Sequence, residues 1–146
     1  MIKNTVINAE LGYALATARH KDAIVICDAN MPIPDGCNVI DVSLIRGVPT
    51  LEQTMCAIMN DLVAERYEVF ELMPQYNDAM YQKIQSQLPQ LPGGTISQDR
   101  LTETMQKAKV VVRTGDFGSC CTMVLYSASG MDKYVKQYDC SFSLEK

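Results

Sequence analysis

Only one histidine stands among the 146 residues of this chain, and that scarcity alone removes several classes of function. A zinc site of the usual spacing is excluded, because the six cysteines (Cys27, Cys37, Cys56, Cys120, Cys121 and Cys140) include no Cys-x-x-Cys pair to stand in for missing histidines. No serine sits in a nucleophile elbow, so a Ser-His-Asp triad has no recognisable frame. Basic excess is absent too: the formal net charge is −4, with no cluster of Lys and Arg to neutralise a phosphate backbone. Long apolar runs are lacking. Stretches such as Ala23-Ile24-Val25-Ile26-Cys27 fall far short of a bilayer span. Met1-Ile2-Lys3-Asn4-Thr5 lacks the apolar core of a secretory signal. These absences lead to a cytoplasmic protein with no membrane or nucleic-acid partner, its cysteines mostly reduced and structural.

What is present fits a single domain over residues 1–146, with no internal repeat or low-complexity tract. Helix-like and strand-like segments alternate, which argues for an α/β fold. Asn8 can cap a helix reaching about Arg19, with Leu11, Leu15 and Ala18 on one face. Ala23 to Cys27 has the unbroken apolar character of a strand covered on both faces. Met31-Pro32-Ile33-Pro34-Asp35-Gly36 is a loop, and Val39 to Val42 a second short strand. Thr50-Leu51-Glu52-Gln53 matches a capping box, starting a helix with Met55, Ile58, Met59 and Leu62 inward. Further on, the pattern predicts a strand over Tyr67–Leu72, a helix over Asp78–Leu88, a mobile loop over Pro89–Gly94 and a helix over Asp99–Lys107. Lys109–Val112 and Cys121–Tyr126 read as strands flanking the turn Thr114-Gly115-Asp116-Phe117-Gly118. The nine methionines fit core positions at helical spacing.

Two residues could carry chemistry. His20 supplies the one imidazole, the side chain that exchanges protons most readily near neutrality. It falls where a helix ends and a buried strand is about to begin, so a mere helix-terminal role, favoured by the macrodipole, is the alternative. Asp28 ends the apolar run of the first strand and precedes the proline loop. Ligands of open α/β sheets gather beyond the carboxyl ends of strands, where a carboxylate can accept hydrogen bonds from hydroxyl groups. A turn aspartate bonded to its own backbone is the competing reading. Thr114-Gly115-Asp116 lacks the rest of a phosphate loop and reads as a turn. Cys120-Cys121 has no second histidine or Cys-x-x-Cys partner to make it a reactive thiol pair.

Several separated segments, in order and at nearly constant spacing, resemble one family. Thr5-Val6-Ile7-Asn8, Arg19-His20-Lys21-Asp22, Val25-Ile26-Cys27-Asp28-Ala29-Asn30-Met31-Pro32-Ile33-Pro34, Val39-Ile40-Asp41, Gly47-Val48-Pro49-Thr50 and Val111-Val112-Arg113-Thr114-Gly115-Asp116 look like the D-ribose pyranase / L-fucose mutarotase family, closer to its pyranase branch. The likeness covers about residues 1–126. It implies a three-layer α/β/α sandwich with a central mixed, largely parallel sheet, assembled into rings and commonly a decamer. It also implies interconversion of pyranose and furanose forms, or anomers, of a free monosaccharide, with no metal and no organic cofactor. By the same resemblance His20 matches the catalytic histidine and Asp28 a sugar-binding aspartate. Gln98 stands where the pyranases carry a second histidine, with Arg100 the other polar candidate if the mapping shifts by two; Cys120 and Thr122 stand in place of a tyrosine and an asparagine. Residues 127–146 extend past the usual family ending as a tail. The substitutions keep open a non-catalytic sugar-binding or regulatory protein of a carbohydrate system, and a structural oligomer whose site has decayed.

Distance adds one expectation. If residues 23–28 are extended they cover on the order of 17 Å at about 3.3 Å per residue, so His20 and Asp28 lie toward opposite ends of a strand. A site using both then needs either a sharp fold-back or an interface between subunits, and the interface is the expectation.

Overall fold

The computed structural model describes residues 6–129. The apolar run becomes strand β1 (Ala23–Cys27), buried at all five positions. Its neighbours explain why: β5 (Val110–Arg113) pairs with it in parallel and β6 (Met123–Ser127) antiparallel. β2 (Val39–Asp41), β3 (Ala64–Phe70) and β4 (Gly93–Ile96) complete a six-stranded sheet in the order β2-β5-β1-β6-β3-β4. The pairings leave β6 as the strand that opposes the others.

Helices cover both faces. Ile24, Ile26, Val110, Val112 and Leu125 pack toward α1 (Ala9–Ala16), α2 (Leu51–Asp61) and α4 (Asp78–Gln87), through Leu11, Leu15, Met55, Ile58 and Ile84. Val25, Cys27, Val111 and Val124 face the other way, against Leu101 and Met105 of α5 (Gln98–Lys107). Strand side chains alternate between faces, so a strand covered twice must be apolar throughout, and β1 and β5 are. The architecture is the expected three-layer sandwich with a mixed, largely parallel sheet.

Local signals held where they were chemical. Asn8 accepts the Leu11 amide and caps α1, while Thr50 and Gln53 form the reciprocal capping box of α2. α1 stops at Ala16 rather than near Arg19, because the Thr17 hydroxyl turns back to the Tyr13 and Ala14 carbonyls. The expected loop over Pro89–Gly94 gives way to β4 at Gly93. A Cβ at Gly93 would lie 2.5 Å from the Tyr67 ring, so a residue of weak strand propensity is the one this edge accepts. A single helical turn, α3 (Met73–Tyr76), was not anticipated; Pro74 occupies its first turn and Met73 is buried. β6 begins at Met123, not Cys121, because Cys120 adopts a left-handed conformation (φ 54°) that breaks the approach to the sheet. Ser127, expected to open the tail, pairs with Ala64 inside the sheet. Residues 130–146 with Cys140, and the first five residues, lie outside the described residues. The five cysteines described are free thiols. No helix among the described residues is long and apolar enough to cross a membrane.

Candidate functional site

The candidate residues occupy two ends of the sheet. At the carboxyl end of β1, Asp28 is buried and its carboxylate is already engaged. Oδ1 accepts the Asn30 amide at 2.9 Å, the self-bonded turn considered from sequence, and Oδ2 accepts the Thr122 hydroxyl at 3.1 Å. Burial pushes the Asp28 carboxyl up from its ordinary range, and these two bonds only partly offset it. Cys120 lies close enough to feel that charge: burial and Asp28 both push its thiol up, so it faces this corner protonated, as a weak donor. Asp28, Cys120 and Thr122 are thus brought together.

Beneath them, Thr114-Gly115-Asp116 does more than turn the chain. The Thr114 hydroxyl donates to the Cys27 carbonyl at 2.8 Å, and the Asp116 carbonyl accepts the Ala29 amide at 2.8 Å, so both flanks of Asp28 are held. Asp116 Oδ2 accepts the Leu51 amide at the start of α2 at 2.8 Å, and Oδ1 accepts the Gly118 amide at 2.8 Å. A Cβ at Gly115 would collide with the Val48 and Ile45 carbonyl oxygens. Arg113 adds a third tie, reaching the Ala29 carbonyl (3.1 Å), Asp41 (2.8 Å) and Ser43 (2.9 Å). Hydrogen bonds from Ser43 and Arg113 hold the Asp41 carboxyl below the usual carboxylate range. The loops around this end carry exposed apolar side chains at Leu44, Ile45 and Phe117, with Arg46 stacked over the Phe117 ring.

Gln98 and Arg100 make no hydrogen bond to Asp28, Cys120 or Thr122. Gln98 opens α5 beyond β4, three strand positions from β1, and its amide reaches Thr102. Arg100 Nη1 lies 3.3 Å from Glu68 on the sheet face under α5. There Glu68 also receives the Tyr126 hydroxyl (2.5 Å) and Arg66 (3.1 Å). Burial alone pushes the Glu68 carboxyl up, but Tyr126 and the two arginines outweigh it and hold it low.

His20 is at the opposite end, in the turn between α1 and β1. Asp22 accepts the Arg19 amide at 2.8 Å, and Lys21 takes a left-handed conformation (φ 70°) with its amide on the Ser127 carbonyl at 2.8 Å. The ring is half exposed. Its Nε2 lies 2.9 Å from Oε2 of Glu65, at the bulge of β3 between Ala64 and Arg66. Sequence reasoning missed Glu65, since a bulge removes a residue from the alternation that would reveal its direction. It also took Asp116 as a plain turn residue. The Thr-Gly-Asp triplet was visible, but its partner at Leu51, 65 positions away, was not.

A groove of about 470 Å³ runs between α1 and the starts of β2 and β5, lined by Glu10, Tyr13, Asn38 and Lys109 among others and by none of the candidates. Among the described residues no three His, Cys, Asp or Glu side chains converge as a metal site.

Comparison with known proteins supplies the remaining evidence. The family model described as RbsD / FucU transport protein family matches residues 1–129. A D-ribose pyranase of Actinobacillus succinogenes is 32% identical over 136 residues, covering 87% of this chain and 97% of the relative. One from Geobacillus thermodenitrificans is 32% identical over 127 residues, covering 87% and 96%. The solved structure of Bacillus subtilis RbsD complexed with D-ribose superposes with a TM-score of 0.83 at 27% identity, covering 88% of this chain and 98% of that one. The fucose mutarotase of Streptococcus pneumoniae in complex with L-fucose shares the fold, with a TM-score of 0.73 at 16% identity over 88% and 98% of the chains.

Proposed function

Since the chain belongs to the RbsD / FucU family, we propose that it is a sugar isomerase, interconverting the pyranose and furanose forms or the anomers of a free, D-ribose-like monosaccharide in the cytoplasm. The observation that carries this reading is near full-length similarity to D-ribose pyranases, on a fold that superposes on a ribose-bound relative. Ring opening of a cyclic sugar removes a proton from the anomeric hydroxyl and delivers one to the ring oxygen. Reclosure through another hydroxyl gives the other ring size, and reclosure onto the other face gives the other anomer. His20 serves as the proton carrier, and Asp28 holds sugar hydroxyls through carboxylate lone pairs left free by Asn30 and Thr122. Thr122 and Cys120 border that carboxylate, and Gln98 extends the sugar-binding edge. Arg100 remains the partner of Glu68.

Each working site is shared between protomers of a ring-shaped oligomer, a decamer as in the resemblance drawn from sequence, with His20 from one copy and Asp28 from its neighbour. Two observations support this sharing. The residues flank a buried strand at its opposite ends, and the loops beside Asp28 present Leu44, Ile45 and Phe117 to solvent.

Magnetisation-transfer NMR on a panel of free aldoses tests the proposal. Exchange between ring forms accelerated by the wild type and lost in His20→Ala is the expected result. Saturable binding without faster exchange would replace the enzyme with a sugar-binding protein, a reading favoured by the weak hydrogen-bonding capacity of Cys120.

A further inference from the structure

Glu65 has no part in the chemistry so far, yet it makes the one side-chain hydrogen bond that His20 has among the described residues. The ring nitrogen Nε2 stands 2.9 Å from Glu65 Oε2. An ionised carboxylate only accepts hydrogen bonds, so the nitrogen facing it must carry the hydrogen. In a neutral imidazole the other nitrogen, Nδ1, then holds the free lone pair.

The placement of both groups is built into the sheet. β6 separates β1 from β3, and its last residue, Ser127, serves both sides. Its carbonyl accepts the Lys21 amide, its amide donates to the Asp22 carbonyl, and it pairs with Ala64 beside the bulge. The histidine turn and the bulged glutamate are therefore fastened to the same strand end. The pair is partly exposed, with side-chain exposures of 47% for His20 and 30% for Glu65, and such ion pairs add little to stability. A contact of small worth to folding, held by a left-handed lysine and a β-bulge, has its value in orientation.

We propose that Glu65 is the positioning residue of the proton carrier, holding His20 in the Nε2–H tautomer and presenting Nδ1 to the sugar. This rests on the acid/base role of His20 given above. In ring opening, Nδ1 takes the proton of the anomeric hydroxyl and the O–H electrons form the carbonyl. The bond from the anomeric carbon to the ring oxygen breaks toward that oxygen, which receives the proton back from Nδ1. Reclosure reverses these transfers, so no other reactant enters and Nε2 keeps its hydrogen throughout.

The lone histidine makes the test direct. Full-length protein labelled with ¹⁵N-histidine gives ring signals from one imidazole, and long-range ¹H–¹⁵N correlations at alkaline pH report its tautomer. The wild type is expected as Nε2–H, Glu65→Gln as the same form because its amide oxygen still accepts, and Glu65→Ala as a tautomer mixture. Sugar exchange in Glu65→Ala is expected to lose roughly 10- to 100-fold in kcat with KM nearly unchanged, while Glu65→Gln retains most activity and both variants melt with the wild type. An Nδ1–H wild type, or Glu65→Ala with unchanged tautomer and kcat, overturns the positioning role. A wild type held as Nε2–H that never accelerates sugar exchange overturns the functional reading instead, and with it the catalytic use of the pair.

Discussion

The two ends of the sheet are built on different principles. At the Asp28 end, Thr114, Asp116, Arg113 and Thr122 fix the carboxylate and both its flanks through bonds spanning 84 to 94 positions of sequence. At the His20 end one side-chain hydrogen bond, among the described residues, holds a half-exposed ring. The contrast follows the tasks proposed for them. A binding carboxylate gains from a rigid, partly desolvated setting, because sugar hydroxyls must meet it in one geometry. A proton carrier must change charge each turnover, which exposure permits at low cost. The denser end also accepts an energetic penalty, a carboxylate pushed toward its neutral form by burial.

The contrast can be broken most severely at the open end. His20→Ala should remove about 10²–10⁴-fold of the exchange rate, the usual worth of one acid/base group, with an unchanged melting temperature. A variant that keeps its rate would reduce the histidine to a helix-terminal ornament. The next largest effect concerns how the ends meet. Mixing His20→Ala with Asp28→Ala protein, after dissociation and reassembly, should restore about a quarter of wild-type activity, since random assembly leaves that share of interfaces with both groups intact. Mixtures as inactive as their parents would confine the site to one chain.

The dense end is best probed through stability. Asp116→Ala strands the Leu51 and Gly118 amides and should cost about 2–3 kcal/mol, read as a fall in urea midpoint. A loss below roughly 0.5 kcal/mol would show that the hub is not one. Asp28→Asn is the smallest perturbation and has the opposite sign. A carboxyl raised by burial stabilises the fold while protonated, and that contribution disappears as pH rises through its folded-state pKa. The neutral amide escapes this loss. Its advantage should therefore grow from acid to neutral pH, reaching on the order of 1 kcal/mol, while sugar affinity falls. Equal melting temperatures at all pH values would argue against a strained carboxylate.

Legibility differed between the same two regions. Asp28 was readable because an apolar run ending in a carboxylate marks the carboxyl end of a buried strand. The separation from His20 followed from extended geometry alone. Thr122 entered only through resemblance, and its bond to Asp28 depends on how β6 starts after the left-handed Cys120. Gln98 and Arg100 also enter through resemblance alone, and side-chain direction decides partners: Arg100 turns to Glu68. β4 stayed hidden because two glycines advertise a loop while the Tyr67 ring requires one of them in a strand.

By itself the sequence determined the α/β class, the doubly covered central strand, both helix caps and the family, since each depends on local chemistry or on spacing along the chain. Only the tertiary structure decided that Asp116 caps a distant helix, that Glu68 draws in Arg100 and Tyr126, and that Glu65 faces the imidazole. Those contacts join residues 32 to 65 positions apart, set by strand order and by a bulge. Neither leaves a periodic trace in the residues it brings together.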